Sequence, residues 1–171
     1  GQDVLMDLRT ELRFDTDPVT VFAMFTDEAY LARKADATGA VRHEASVTRL
    51  GDHVTVRLLR VMPPDVPDVL RRLVGETIDL DQTDVWEPAS SDGARTGSIR
   101  IVMGGAPVNL TGGMTLIGTT TGTSAIVAAK VKASIPLVGA RIEKAVHDAV
   151  VHAARVEERV GRAWLAGDRS R

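Results

Sequence analysis

Residues from Ser134 to about Leu165 read as one amphipathic rod, and that rod constrains everything before it. Pro136 fits a first helical turn. Val138, Ile142, Ala145, Val146, Ala149, Ala153, Val156, Val160 and Trp164 then follow at the three- and four-residue steps that build one apolar stripe. Arg141, Lys144, Asp148, Arg155, Glu158, Arg159 and Arg162 fall mostly on the other side. At a rise of about 1.5 Å per residue, a run of about thirty residues is a rod of roughly 45 Å. Such a stripe needs an apolar surface as long as itself.

The preceding chain supplies that surface as strands. In MDLRTELRF, Met6, Leu8, Leu12 and Phe14 share one parity against Asp7, Arg9, Glu11 and Arg13, the pattern of a strand with one wet face. The period then changes. Asp17 is placed to cap a first short helix with Pro18 at its first position, and Thr26 to cap a second that stops before Gly39. From Ala40 alternation returns in AVRHEASVTRL and HVTVRLLRVM, joined at Gly51 and Asp52 as a hairpin. PPDVPDVLRRLVG interrupts it with prolines, and Val69, Leu70, Leu73 and Val74 are expected to form a helical piece within an ordered loop. ETIDLDQTDVWE, ARTGSIRIVM, VNLTGGMTLIGTT and TSAIVAAKVKAS complete about seven strands. Their short connections favour antiparallel neighbours, because a parallel pair needs a crossover of a dozen or more residues.

Seven strands about 4.8 Å apart make a sheet roughly 30 Å wide, while a helix with side chains is about 10 to 12 Å across. The sheet must therefore curl around the rod, with the short helices closing an end. The expected fold is α+β: a helix grip, in which a curved seven-stranded antiparallel sheet wraps a long C-terminal helix, with two short helices after the first strand. One domain over 1–171 accommodates it.

That element order resembles the START-like superfamily of lipid-transfer domains, pollen-allergen-like proteins and polyketide aromatase/cyclases. The local stretch VKASIPLVGARIEKAV, followed by EERVGRAWL, is similar to an uncharacterised bacterial branch of it. The resemblance implies a cavity between sheet and long helix that holds a hydrophobic small molecule. It transfers no catalytic set. The residues agree with a cavity: Ala145, Ala149 and Ala153 on the stripe, and Gly112, Gly118, Ala125 and Ala129 in the strands, occupy little volume, and aromatic residues make up 4% of the chain. The alternative is that small residues let helix and sheet approach closely and fill the core.

Polar residues on inward parities are the candidate ligand contacts. His43 follows the parity of Val41, Ala45 and Val47; Arg60 that of Val54, Val56 and Leu58; Gln82 and Asp84 that of Ile78, Leu80 and Trp86. With Trp86 and the helix positions Ile142, Val146 and Ala149, they form the expected ligand-binding set. His43 and Asp84 are suited to moving a proton. Glu143 and His147 sit four apart, with His152 rotated away, so a solvated face with a charge pair is expected there and no metal site.

The remaining features exclude more than they assign. A net charge of -2 argues against a general grip on nucleic acid, and the absence of cysteine removes disulfides and thiolate chemistry. There is no GxGxxG, no GxxxxGK[ST] and no GxSxG, so no nucleotide or cofactor is expected and the catalytic set is unknown. The glycines of MGGAPVNLTGGM suit bends and bulges instead. Without a basic-then-apolar opening or a membrane-length apolar run, a cytoplasmic location without stable membrane association is expected, Arg71 and Arg72 being a solvated turn. The leading expectation is binding of a hydrophobic or amphipathic small molecule for carriage, sensing or presentation. The alternatives are an aromatase/cyclase-like enzyme using His43, Asp84 or Arg60, and a ligand-free interaction module. Oligomeric state is not encoded in any motif.

Overall fold

The computed structural model describes residues 4–64, 68, 71–72 and 75–170. Strand β1 (Val4–Phe14) leads into α1 (Pro18–Phe25) and α2 (Glu28–Ala37). Strands β2 (Arg42–Leu50), β3 (His53–Met62), β4 (Ile78–Trp86), β5 (Arg95–Met103), β6 (Val108–Thr119) and β7 (Gly122–Ala133) follow, then α3 (Gly139–Leu165). The strands form one antiparallel sheet in the order β1-β7-β6-β5-β4-β3-β2, so the first strand closes onto the last. This is the helix-grip arrangement. The helical piece expected over Val69, Leu70, Leu73 and Val74 lies outside the described residues.

Local chemistry sets the element ends. The Asp17 carboxylate accepts from the Thr20 amide at 3.3 Å and from its hydroxyl at 2.6 Å, capping α1 ahead of Pro18. Thr26, expected to cap α2, ends α1 instead, its hydroxyl donating to Phe22 O; Asp27 one residue later caps α2 by accepting from Ala29 N at 2.9 Å. Gly51, at a φ of 59°, turns the tight hairpin in which Leu50 faces His53.

The long helix starts later than its apolar pattern suggests. Leu137 adopts a left-handed φ of 71°, which breaks the run from Ser134, and α3 spans 27 residues, about 40 Å. Its first turn presses on the end of β7, where a Cβ on Gly139 would lie 2.7 Å from Ala133 O. Near its other end a Cβ on Gly161 would lie 2.7 Å from Phe14 Cε1. The buried line runs through Ile142, Glu143, Ala154, Val160, Gly161 and Trp164. Ala149 is exposed and Ala145 and Ala153 are half-buried, a correction to the stripe read from sequence. The cause is Glu143: fully buried, it accepts from Ala133 N through Oε2 at 2.8 Å rather than pairing with His147 on a wet face. His147 Nδ1 contacts Asp148 Oδ1 at 3.0 Å instead. A carboxylate that faces inward rotates the helix away from its alanines.

α3 also covers the free edge of β1. Arg155 Nη2 donates to Glu11 O at 2.6 Å, Arg162 Nε donates to Arg13 O at 2.9 Å, and Arg13 N donates to Glu158 Oε2 at 2.7 Å. Side chains thus complete backbone groups that an edge strand leaves unpaired.

Two apolar clusters fill most of the concave face. One, around Ile78, Met103, Val108, Ala133 and Ile142, lies by the start of α3. The other holds every aromatic residue of the chain, its three Phe, two Trp and one Tyr. Phe14 and Phe25 meet edge-on at 5.9 Å, Phe22 and Trp86 at 5.6 Å, Phe25 stacks on Tyr30 and Trp86, and Tyr30 leans on Trp164 at 5.6 Å. Few aromatics suffice when all of them are gathered at one place.

Two outcomes are expected in urea unfolding. Leu137→Gly stabilises the protein by up to about 1 kcal/mol, because the solvent-exposed leucine side chain makes no packing to lose and glycine relieves the left-handed φ. Glu158→Ala destabilises it by about 1 to 2 kcal/mol by stripping the acceptor from Arg13 N, and Glu158→Gln by less.

Candidate functional site

Strand parity aims a row of polar side chains at the space under the helices. Because Leu58 faces Gln82 and Val56 faces Asp84 across β3 and β4, the inward residues of both strands share one surface. Arg60 Nη2 donates to Gln82 Oε1 at 2.7 Å, and Gln82 Nε2 donates to the Asp84 carboxylate at 3.1 and 3.3 Å. The amide is thus oriented by a guanidinium on one side and a carboxyl on the other. Arg60 and Gln82 are buried, and Arg60 Nε has no partner.

Gln82 and Asp84 of this row help wall a cavity of about 100 Å³. β1 contributes Thr10 and Leu12, α1 Phe25, α2 Tyr30, Leu31 and Lys34, β4 Gln82, Asp84 and Trp86, and β5 to β7 Ile99, Met114, Ala125 and Val127. α3 contributes Glu157. The volume is well below the 300 to 1,000 Å³ of ordinary ligand sites. The reason is visible in the fold: the aromatic cluster fills one flank, and the small residues expected to leave room bring backbones together. A Cβ on Gly112 would lie 2.3 Å from Ala128 O and 2.6 Å from Ala129 Cβ. Of the small residues read from sequence as making room, Ala125 lines the cavity.

Burial sets the electrostatics. It pushes the Asp84 carboxyl above the usual carboxylate range, against the opposing pull of Lys34, the Gln82 hydrogen bond and Arg60, while Glu157 adds to the rise. It lowers Arg60, with Glu157 and Asp84 opposing, and raises the Tyr30 phenol, helped by Glu157. Lys34, Arg60 and Glu157 thus all act on Asp84, and Glu157 acts on Arg60 as well.

The structure brings Gln82, Asp84 and Trp86 to the cavity, with Arg60 behind Gln82. It does not bring the rest. His43 faces Arg60 in the strand register, but its Nε2 lies 2.9 Å from Asp36 Oδ1 of α2. Ile142 is fully buried in the cluster at the start of α3, Val146 packs against both clusters, and Ala149 faces solvent. Sequence reasoning missed Lys34 and Glu157. Glu157 continues the inward steps Val146, Val150, Ala154, Glu157, Gly161, Trp164, a placement that a search for apolar residues alone passes over.

A larger hollow of about 550 Å³ lies open on the convex face over β1, β7 and β6, beside Gly112 and Ala128. Its charged rim is self-paired, Lys130 with Asp7, and no polar row converges on it. Among the described residues no group of three or more His, Cys, Asp or Glu is placed to hold a metal ion, and no described helix is long and apolar enough to cross a membrane.

A model of the family described as protein of unknown function (DUF2505) matches residues 9–165. The chain belongs to that family. No curated protein matches it. Three solved structures share the fold at low identity. The STAR-related lipid transfer protein from Xanthomonas axonopodis aligns at a TM-score of 0.59 and 17% identity, over 92% of this chain and 84% of that one. The Zhui aromatase/cyclase from Streptomyces sp. R1128 aligns at 0.56 and 14%, over 99% and 97%. The di-domain ARO/CYC StfQ of the steffimycin biosynthetic pathway aligns at 0.63 and 12%, over 96% of this chain and 52% of that one. This DUF2505 chain therefore shares the helix-grip fold of those structures.

The Asp84 shift makes a signed prediction. A carboxyl whose folded pKa is raised binds more protons folded than unfolded, so its ionisation costs stability as pH rises through the folded value. Asp84→Asn is expected to unfold at higher urea than the parent at pH 8. The gap should close as pH falls into the ordinary carboxylate range, and a gap independent of pH would contradict the assignment.

Proposed function

We propose that this DUF2505 protein binds a hydrophobic or amphipathic small molecule between the sheet and α3, for carriage, sensing or presentation. One observation carries the reading: a chamber lined mostly by apolar side chains whose wall holds Gln82 and Asp84, with Arg60 hydrogen-bonded behind Gln82 and Lys34 and Glu157 lining it from the helices. A core built only for stability gains little from drawing the Arg60 guanidinium and the Asp84 carboxyl out of water. Trp86, Leu12 and Ile99 supply apolar contact, and the polar row orients a head group. Lipid transfer and aromatase/cyclase chemistry on the same fold, as the names of the similar structures state, support the reading.

A second reading rests on Asp84. A buried carboxyl that keeps its proton to higher pH, beside Gln82, Lys34 and Glu157, is equipped for acid catalysis on a polyketide-type carbonyl compound. On that reading Asp84→Asn abolishes turnover while ligand is still bound.

Native mass spectrometry of protein purified from its own host tests binding. A reproducible bound mass is expected, and Ala125→Leu, which fills the chamber, is expected to lower its occupancy by about tenfold or more without unfolding the protein. Repeated absence of a bound mass, or equal occupancy in the filled variant, would refute the proposal.

A further inference from the structure

Besides its apolar lining, the chamber presents a mixture of charges, and their arrangement restricts what enters. Lys34 on α2 and Glu157 on α3 approach it from the helices, while Asp84, with Arg60 reached through Gln82, stands on the sheet. These four groups sum to no net charge when all are ionised. The sheet pair is already engaged through the amide of Gln82. Among the described residues, the half-exposed Lys34 Nζ and Glu157 carboxylate make no hydrogen bond or ion pair, so both side chains at the chamber keep their hydrogen-bonding capacity.

Resting on the binding reading above, we propose that the ligand's buried head is an uncharged hydroxyl, alcohol or phenol, which donates its proton to Glu157 and accepts from Lys34. A hydroxyl is both donor and acceptor, so one group completes both side chains and leaves the enclosure neutral. A carboxylate head that pairs with Lys34 leaves Glu157 and Asp84 beside a third negative charge, and an ammonium head that pairs with Glu157 leaves Lys34 uncompensated. Either head gives a balanced, partly buried site a net charge, which is costly. The volume of about 100 Å³ limits the buried part to about one ring or a short branch.

The discriminating experiment is a titration followed by two-dimensional amide NMR at pH 7, with phenol, toluene, benzoate and benzylammonium as probes. The parent is expected to bind phenol most tightly, with both charged probes weaker by about tenfold or more. Two variants then shift the balance. Lys34→Met leaves the enclosure with an excess negative charge and should turn the preference to benzylammonium. Glu157→Gln leaves an excess positive charge and should turn it to benzoate. Thermal melts of both variants check that these half-buried positions tolerate the change, and a melting temperature close to the parent's is expected.

Either charged probe binding the parent as tightly as phenol overturns the proposal, as does a preference that neither variant moves. Toluene equal to phenol overturns the hydroxyl head while leaving an apolar binding site in place. Failure of all four probes also overturns it, and the bound mass in native spectrometry then separates the two failures. A mass lost in Ala125→Leu keeps the broader reading, and its absence removes both.

Discussion

The concave face of a seven-stranded sheet is wider than one helix can cover, and the rest of the structure depends on how that excess is resolved. Curling packs β1 and β7 against α3 and β2 against α2 but does not remove the mismatch. The chain resolves it by concentration. Its scarce aromatic rings gather where β1, α1, α2, β4 and the end of α3 meet, and an aliphatic cluster containing Met103 fills the space by the start of α3. What is left between them is small, and it is the part that carries charge.

That residue of space is shaped from two sides with different rigidity. The sheet side is a strand wall in which Arg60, Gln82 and Asp84 hold one another by hydrogen bonds. The helix side is a pair of long side chains, Lys34 and Glu157, whose stems lie on separate elements.

Much of this was legible beforehand. Strand alternation and turn residues located all the strands, because a two-residue period with one buried face leaves little freedom. Parity alone placed Gln82, Asp84 and Trp86 on the inward face. The helix was harder to read, because a small rotation exchanges neighbours between core and water. Treating Glu143 as a surface charge pushed the stripe toward Ala149, and the acceptor that Ala133 N required was not visible in the order of residues. His43 shows a similar limit: parity aims a side chain, but a competing carboxylate on another element, here Asp36, decides where it ends.

The pairing of β1 with β7 has a consequence for how the chain is made. Every β1 ladder partner lies in residues 122–133, and the side chains that seal its other edge lie at Arg155, Glu158 and Arg162. The β2 to β7 meander can zip hairpin by hairpin as it leaves the ribosome, whereas β1 waits for nearly the whole chain. Loop closure over that separation makes β1 docking the slow, late event of folding. Until it happens, an alternating strand with two open edges is exposed to other nascent chains. The alternate positions Asp7, Arg9, Glu11 and Arg13 place charge along that strand throughout the wait.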